Sequence, residues 1–300
     1  MQPIGKTCLA FSFALVAATS TAADDSKPQT TSEVLEHSKA SDWRIPNAED
    51  LLILTLDNGA RVVMELAPAF APNHAENLRA LAREHYFDGL ALMRVQENYV
   101  VQWGDPEGDK REIKTAKRTL PGEFFRSMQG LNFSVLPDAD VYAAEVGYVD
   151  GFPAARDAKR KQAWLAHCYG ALGVGRAMGA DSGGGTELYV VIGHAPRHLD
   201  RNITLAGRVL QGMEHLSVLP RGTGALGFYE QPEQYVKIRS LRLAADLAES
   251  ERIPLQVLRT DTATWKAYVD TRRFRRDAWF IEPTGHADVC NVGVPVRAAQ

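Results

Sequence analysis

Much of the vocabulary that marks catalytic sequences is missing from this chain. It has no HExxH, no CxxC and no cluster of His and Cys at ligand spacing, so no metal centre is implied. Its glycine-rich stretch, residues 169–185, carries no Gly-Lys-Ser/Thr and runs into a strand-like segment at 188–192, not a helix; phosphate cradling is rejected. A net charge of -3 over 300 residues gives no general attraction to nucleic acid. The local basic runs at 159–161 and 272–276 read as solvated faces. Beyond the N-terminus there is no long apolar run, and therefore no expected membrane span. Cysteine is scarce, at three residues.

What is present is the composition of an ordinary globular protein, 45% hydrophobic and 24% charged, long enough for one large domain or two small ones. The N-terminus has the grammar of a secretory leader: Lys6, an apolar run at 8–18, then the small residues 19–23. Residues 1–23 are accordingly read as a signal peptide and the mature chain as exported and periplasmic, with residues 24–48 a polar tail or linker. Cys8 lies in the leader, which leaves Cys168 and Cys290 in an oxidising compartment. They are expected to form one disulfide; the alternative is two buried thiols. A bridge would close a loop of about 120 residues, worth roughly 4–5 kcal/mol in the chain-entropy model.

Residues 51–56 are a solid apolar run, and Asp57-Asn58-Gly59 is a hairpin turn. Residues 60–66 then alternate like a half-buried strand. Pro72-Asn73 opens a helix, with Asn73 and Glu76 at capping-box spacing and Ala75, Leu78, Leu81, Ala82 and His85 on one face. His85 is read as structural, placed to suit the helix dipole. Residues 107–166 are charged and turn-rich and read as a long insertion with short elements. Strands are expected at 187–192 and 204–210, with a helix-like segment at 212–219. Beyond 221 a strand at 236–243, a helix at 262–273 and closing strands at 279–281 and 289–296 make up a C-terminal α+β extension.

The stretch 89–105 holds Arg94 inside a strand-like apolar run, five residues before Tyr99 and eight before Gln102. A cation among apolar neighbours is costly unless paired. Taken by itself, Arg94 also fits an edge strand with its head in water.

Several segments together resemble one family, the cyclophilin-type peptidyl-prolyl cis-trans isomerases, of an exported bacterial type. The hairpin at Asn58-Gly59 and Ala71-Pro72 with Glu76-Asn77-Leu78 are similar to its opening strands and first helix. Residues 92–105 are similar, without a gap, to its Phe-His-Arg-Val-Ile-Pro-Gly-Phe-Met-x-Gln-Gly-Gly-Asp. Residues 170–177 are similar to its glycine-led strand, and Gly185-Thr186-Glu187-Leu188-Tyr189 to its Gly-Ser-Gln-Phe-Phe. His198-Leu199-Asp200, Gly207-Arg208-Val209 and Gly212-Met213 follow in the family's order. The resemblance implies a mainly β fold: a closed eight-stranded antiparallel barrel capped by two helices, spanning residues 49–220 with the insertion inside it. It implies Arg94 as the catalytic arginine and Gln102 as its neighbour. Tyr99 and Tyr189 match the two phenylalanines of a proline pocket, Val100 its methionine and Leu199 its leucine. Leu188 and Ile203 are expected to complete that pocket, with Arg176, Glu187 and His198 along the peptide groove. No cofactor is implied, and the partners are proline-containing polypeptides.

The chain departs from the family in places. Asn98 stands at a glycine, where Asn tolerates positive φ. Glu97 replaces a proline and Trp103 a glycine, adding bulk expected beside Gln102. Ile203 replaces a histidine, His198 a tryptophan, Arg176 an asparagine and Glu187 a glutamine. The reading is a prolyl isomerase serving the folding of exported proteins. Its alternative is a non-catalytic peptide-binding chaperone or scaffold module on the same barrel. A protease-like reading of Ala166-His167-Cys168 with Asp181-Ser182-Gly183-Gly184 fails on chain geometry, since the two motifs lie only about fifteen residues apart.

Overall fold

A computed structural model describes residues 29–108 and 110–299; the leader lies outside them. Eight strands close into an antiparallel barrel. In chain order they are Leu51–Leu56, Arg61–Leu66, Ala91–Val95, Val100–Gly104, Ala171–Val174, Leu188–Val191, Leu205–Gln211 and Val236–Leu243. Side chains alternate across each strand. Leu52, Leu54, Val62, Met64, Leu92, Val101, Trp103, Leu172, Leu188 and Val190 fill the interior. Their neighbours in sequence face outward.

The eighth strand corrects the expected boundary. Val236–Leu243, assigned above to the extension, pairs with Leu51–Leu56 and with Leu92 and Ala91, so the barrel runs to residue 243 and not to 220. Helix Pro72–Arg83 covers one end, burying Ala75, Leu78, Leu81 and Ala82. The second helix is a short segment, Met213–Ser217. The capping box is absent: the N-cap is Ala71, without a side-chain bond. Instead the Glu123 carboxylate, from the insertion, accepts the Asn73 and His74 amides at 3.1 and 3.0 Å. An anion on a helix N-terminus satisfies orphan donors and suits the dipole. His85 lies past the helix at φ 57, off the apolar face.

The insertion folds as a five-stranded antiparallel sheet in the order Arg126–Ser127, Gln162–Leu165, Phe152–Asp157, Glu145–Val149, Phe133–Val135. The segment expected to be a linker is also ordered. Thr30 caps helix Thr31–Glu36 through a capping box, and Trp43–Arg44 pairs with Leu255–Leu258, which in turn pairs with Val296–Ala298. Val34, Trp43, Tyr148, Trp164, Val257, Trp265 and Val289 share a second core, so linker, insertion and extension pack as one body. Helix Ala263–Phe274 is capped by Thr262 as expected. The closing strands are not: Trp279 and Ile281 are exposed, and Cys290 sits in a turn ahead of the strand Val296–Ala298. Cys168 and Cys290 form a disulfide across a separation of 122 residues. Among the described residues no helix is long and apolar enough to cross a membrane.

Candidate active site

The strands Ala91–Val95 and Val100–Gly104 are joined by a tight turn in which Asn98 takes φ 54, the conformation its position demanded. Its Oδ1 accepts the His194 amide at 2.7 Å. The hairpin brings Arg94 opposite Gln102, and Gln102 in turn lies opposite Tyr189. All three point out of the barrel on one face.

Arg94 is half-buried and held on three sides. Its Nη1 donates to Gln102 Oε1 at 2.9 Å, its Nε to the Leu226 carbonyl at 2.7 Å, and its Nη2 to Gln96 Oε1. The rings of Tyr99 and Phe228 lie 5.6 and 5.4 Å from the guanidinium carbon. Burial pulls the Arg94 pKa below its ordinary value, opposed by Tyr99 and Glu187; a guanidinium remains charged. Of its five N–H groups, two are left for a ligand. Gln102 is itself fixed: its Nε2 donates to Glu187 Oε2 at 2.7 Å. The Glu187 side chain lies against Gly104 and Gly175, where a Cβ would stand 2.8 and 2.9 Å from it. These two glycines give the carboxylate its room.

Beside the arginine is an apolar surface. Val100 and Tyr189 are buried in a cluster with Val191 and Leu205, and Tyr99 and Ile203 pack against it half-buried. Leu199 sits on the short helical turn Arg197–Leu199, partly buried, and His198 is exposed beside it. Arg176 is pinned to backbone, donating to the carbonyls of Asn202, Ala177 and Met178 at 2.9, 2.8 and 3.3 Å. Arg94, Tyr99, Val100, Gln102, Glu187 and Tyr189 are thus brought together.

Two expectations are corrected. Leu188 is fully buried inside the barrel, because it precedes the outward-facing Tyr189 and strand side chains alternate. Trp103 is likewise interior and adds no bulk on the groove side of Gln102. Two features escaped the sequence reading. One is the segment of Leu226 and Phe228 lying on Arg94. The other is His167, whose Nε2 lies 3.0 Å from the Tyr189 hydroxyl. A tyrosine where the family has phenylalanine was the available signal: a buried hydroxyl needs a partner.

The family model for cyclophilin-type peptidyl-prolyl cis-trans isomerases matches residues 51–243. Among curated sequences, a probable peptidyl-prolyl cis-trans isomerase of Brucella suis is 26% identical over 191 residues, covering 63% of this chain and 81% of its own. Peptidyl-prolyl cis-trans isomerase B of Bacillus subtilis is 40% identical over 53 residues, 18% of this chain and 37% of its own. Among solved structures, cyclophilin AquaCyp293 from Hirschia baltica superposes with a TM-score of 0.70 at 24% identity, over 91% of this chain and 99% of that one. A family match over well more than half of the chain, through both barrel ends and the arginine hairpin, makes this protein a member of the cyclophilin-type peptidyl-prolyl cis-trans isomerase family.

Proposed function

We propose that this chain accelerates X-Pro isomerisation in exported polypeptides, with Arg94 as the catalytic residue. Amide conjugation raises a barrier of about 18–20 kcal/mol to rotation, and uncatalysed interconversion takes tens of seconds or longer. No bond breaks, so neither nucleophile nor metal is required. At the transition state the twisted imide nitrogen regains its lone pair. A donor aimed at that nitrogen binds the twisted state better than either ground state. The two uncommitted Arg94 N–H groups are suited to this, and Gln102 keeps the fork from rotating. Tyr99, Val100, Tyr189, Leu199 and Ile203 offer the apolar wall for a proline ring, and a drier wall strengthens the arginine's field. The observation that carries the proposal is the Arg94–Gln102 bond beside the cluster of Val100 and Tyr189.

The export role rests on the leader grammar of residues 1–23 and on the disulfide, which fits an oxidising compartment. The same two features support a periplasmic location.

The test is isomerisation of a proline peptide by wild type, Arg94→Ala and Arg94→Lys. Arg94→Ala is expected to lose roughly 10²–10³-fold in kcat/KM, the scale of a lost transition-state donor. Arg94→Lys keeps the charge without the fork and is expected to recover little of it. An unchanged rate in Arg94→Ala would remove the mechanism.

The alternative, a peptide-binding module with little catalysis, is favoured by one observation: the Leu226 carbonyl and the Phe228 ring already occupy part of Arg94. Peptide binding by wild type without acceleration would select it.

A further inference from the structure

Behind the apolar wall runs a chain of buried polar groups that the mechanism above does not use. Tyr189 is buried, and an unpaired phenol there would cost about 1–3 kcal/mol. His167, fully buried, stands at its tip, with Nε2 3.0 Å from the hydroxyl. The other ring nitrogen, Nδ1, lies 2.9 Å from Asp200 Oδ1, which also accepts the His167 amide at 2.9 Å. An Nδ1–H tautomer donates to Asp200 and leaves Nε2 to accept the Tyr189 proton. Asp200 Oδ2 accepts from Arg197 Nε at 2.6 Å. Arg197 then donates from Nη1 and Nη2 to Asp140, at 2.9 and 3.1 Å. Asp140 belongs to the insertion and is anchored there by the Tyr142 and Ala143 amides, each donating at 2.9 Å. The Arg197 and Asp140 side chains are both 3% exposed.

Two walls of the groove hang on this chain. Tyr189 is held at its hydroxyl. The hydroxyl end of its ring lies against Gly173, where a Cβ would stand 2.0 Å from it. Leu199 is the residue before Asp200, on the turn that Arg197 opens. One carboxylate, Asp200, therefore fixes the aromatic and the aliphatic wall together, and it is itself fixed from the insertion. Burial would raise the Asp200 pKa, but the His167 hydrogen bond and the Arg197 charge lower it, consistent with a permanent anion at the centre of the chain.

We propose that Asp140 is a positioning residue for the proline pocket, acting through Arg197, Asp200 and His167 on Tyr189 and Leu199. The insertion thereby sets how well the groove fits its substrate. Read as a proline pocket, this rests on the function proposed above. Arg94 is held by a separate chain, Gln102 and Glu187. The relay is therefore expected to govern peptide affinity and to leave the turnover of bound peptide alone.

The experiment is a double-mutant cycle of Asp140→Asn and Tyr189→Phe, which sit at opposite ends of the relay. It is read by KM and kcat on a proline peptide, by peptide Kd, and by the backbone amide shifts of Leu199 and residue 189 without peptide. Each single variant is expected to raise KM and Kd at least threefold with kcat within twofold, and the double variant to be no worse than the worse single. An unchanged Kd in Asp140→Asn, or effects that multiply, would overturn the proposal. Tyr148→Phe, which removes bonds to the Val289 and Val292 carbonyls in the second core, is the control for mere destabilisation. It is expected to lower Tm and leave Kd unchanged; an equal rise in Kd would reduce Asp140 to a structural role. If Asp140→Asn does not fold, Arg197→Lys, which keeps the charge without the fork, takes its place. If wild type fails to turn over, the function reading falls. The relay is then judged on Kd and on the amide shifts of Leu199, which must move in Asp140→Asn for the proposal to stand.

Discussion

Gln102 donates through its amide nitrogen to the Glu187 carboxylate at 2.7 Å, and this bond decides which end of the amide faces Arg94. A carboxylate only accepts, so the Gln102 nitrogen must turn to Glu187 and its oxygen toward the guanidinium. Arg94 is thereby aimed from two residues away in contact order.

Glu187→Leu removes the acceptor and leaves the amide free to flip, presenting N–H to a cation. A loss of about tenfold in kcat/KM is expected, within the range for one unsatisfied buried donor. Glu187→Gln keeps an acceptor oxygen and should stay within about threefold of wild type. Peptide kinetics on the two variants check this; equal losses would sink the aiming role.

Glu84 ties the start of the insertion to the end of helix Pro72–Arg83. Burial would raise its pKa, but hydrogen bonds from the Lys114, Thr115 and Ala116 amides and the Thr115 hydroxyl bring it down to about 2 from the ordinary 4.5. A carboxyl depressed in the folded state contributes stability that is complete above pH 4.5 and is lost as pH falls through 2. Glu84→Gln is therefore expected to flatten the fall of Tm between those two values relative to wild type, while changing Tm near neutrality by lowering it. Parallel acid profiles for the two proteins would refute this.

The Cys168–Cys290 bridge joins the loop leading into barrel strand Ala171–Val174 to the extension. Its loss, by reduction or by Cys290→Ser, is expected to cost about 2–5 kcal/mol of unfolding free energy. Denaturant melts with and without reductant measure it. The barrel pairing does not depend on the bridge, so far-ultraviolet circular dichroism should be retained.

A chain ended after Pro220 lacks Val236–Leu243 and leaves Leu51–Leu56 and Ala91–Val95 as open edges. It is expected to show no cooperative melt. A native-like melt from that truncated chain would place the barrel boundary back at residue 220.

Alternation made most of the barrel readable. Residues 51–56 and 61–66 carry a turn between them and form the expected hairpin, but the strand 61–66 is not half-buried as its alternation suggested: Leu51, Ile53 and Val63 on the outer face are covered by Ala244 and Leu255. The strand Val236–Leu243 was equally readable as a strand; only its partner was not, because pairing across some 180 positions leaves no local trace. The insertion's strands Arg126–Ser127 and Phe133–Val135 are two and three residues long, too short for any period to show. Helix Thr31–Glu36 buries only Val34, so its polar composition looked like a tail. At 279–281 apolar composition misled, since Trp279 and Ile281 face solvent. Arg94, Gln102, Tyr99 and Tyr189 were legible through ordered motifs. The relay was not, since Asp140, His167 and Asp200 come from three distant stretches with no shared pattern.

The bridge also marks time. Its two cysteines stand 122 residues apart and meet within the second core, so the pair closes only when insertion and extension have come together. An oxidant that acts before that docking finds the two thiols apart. Trapping free thiols with an alkylating agent during refolding would thus give a clock for the assembly of the second core, and a protein proposed to assist the folding of others would itself need an oxidant to complete its own.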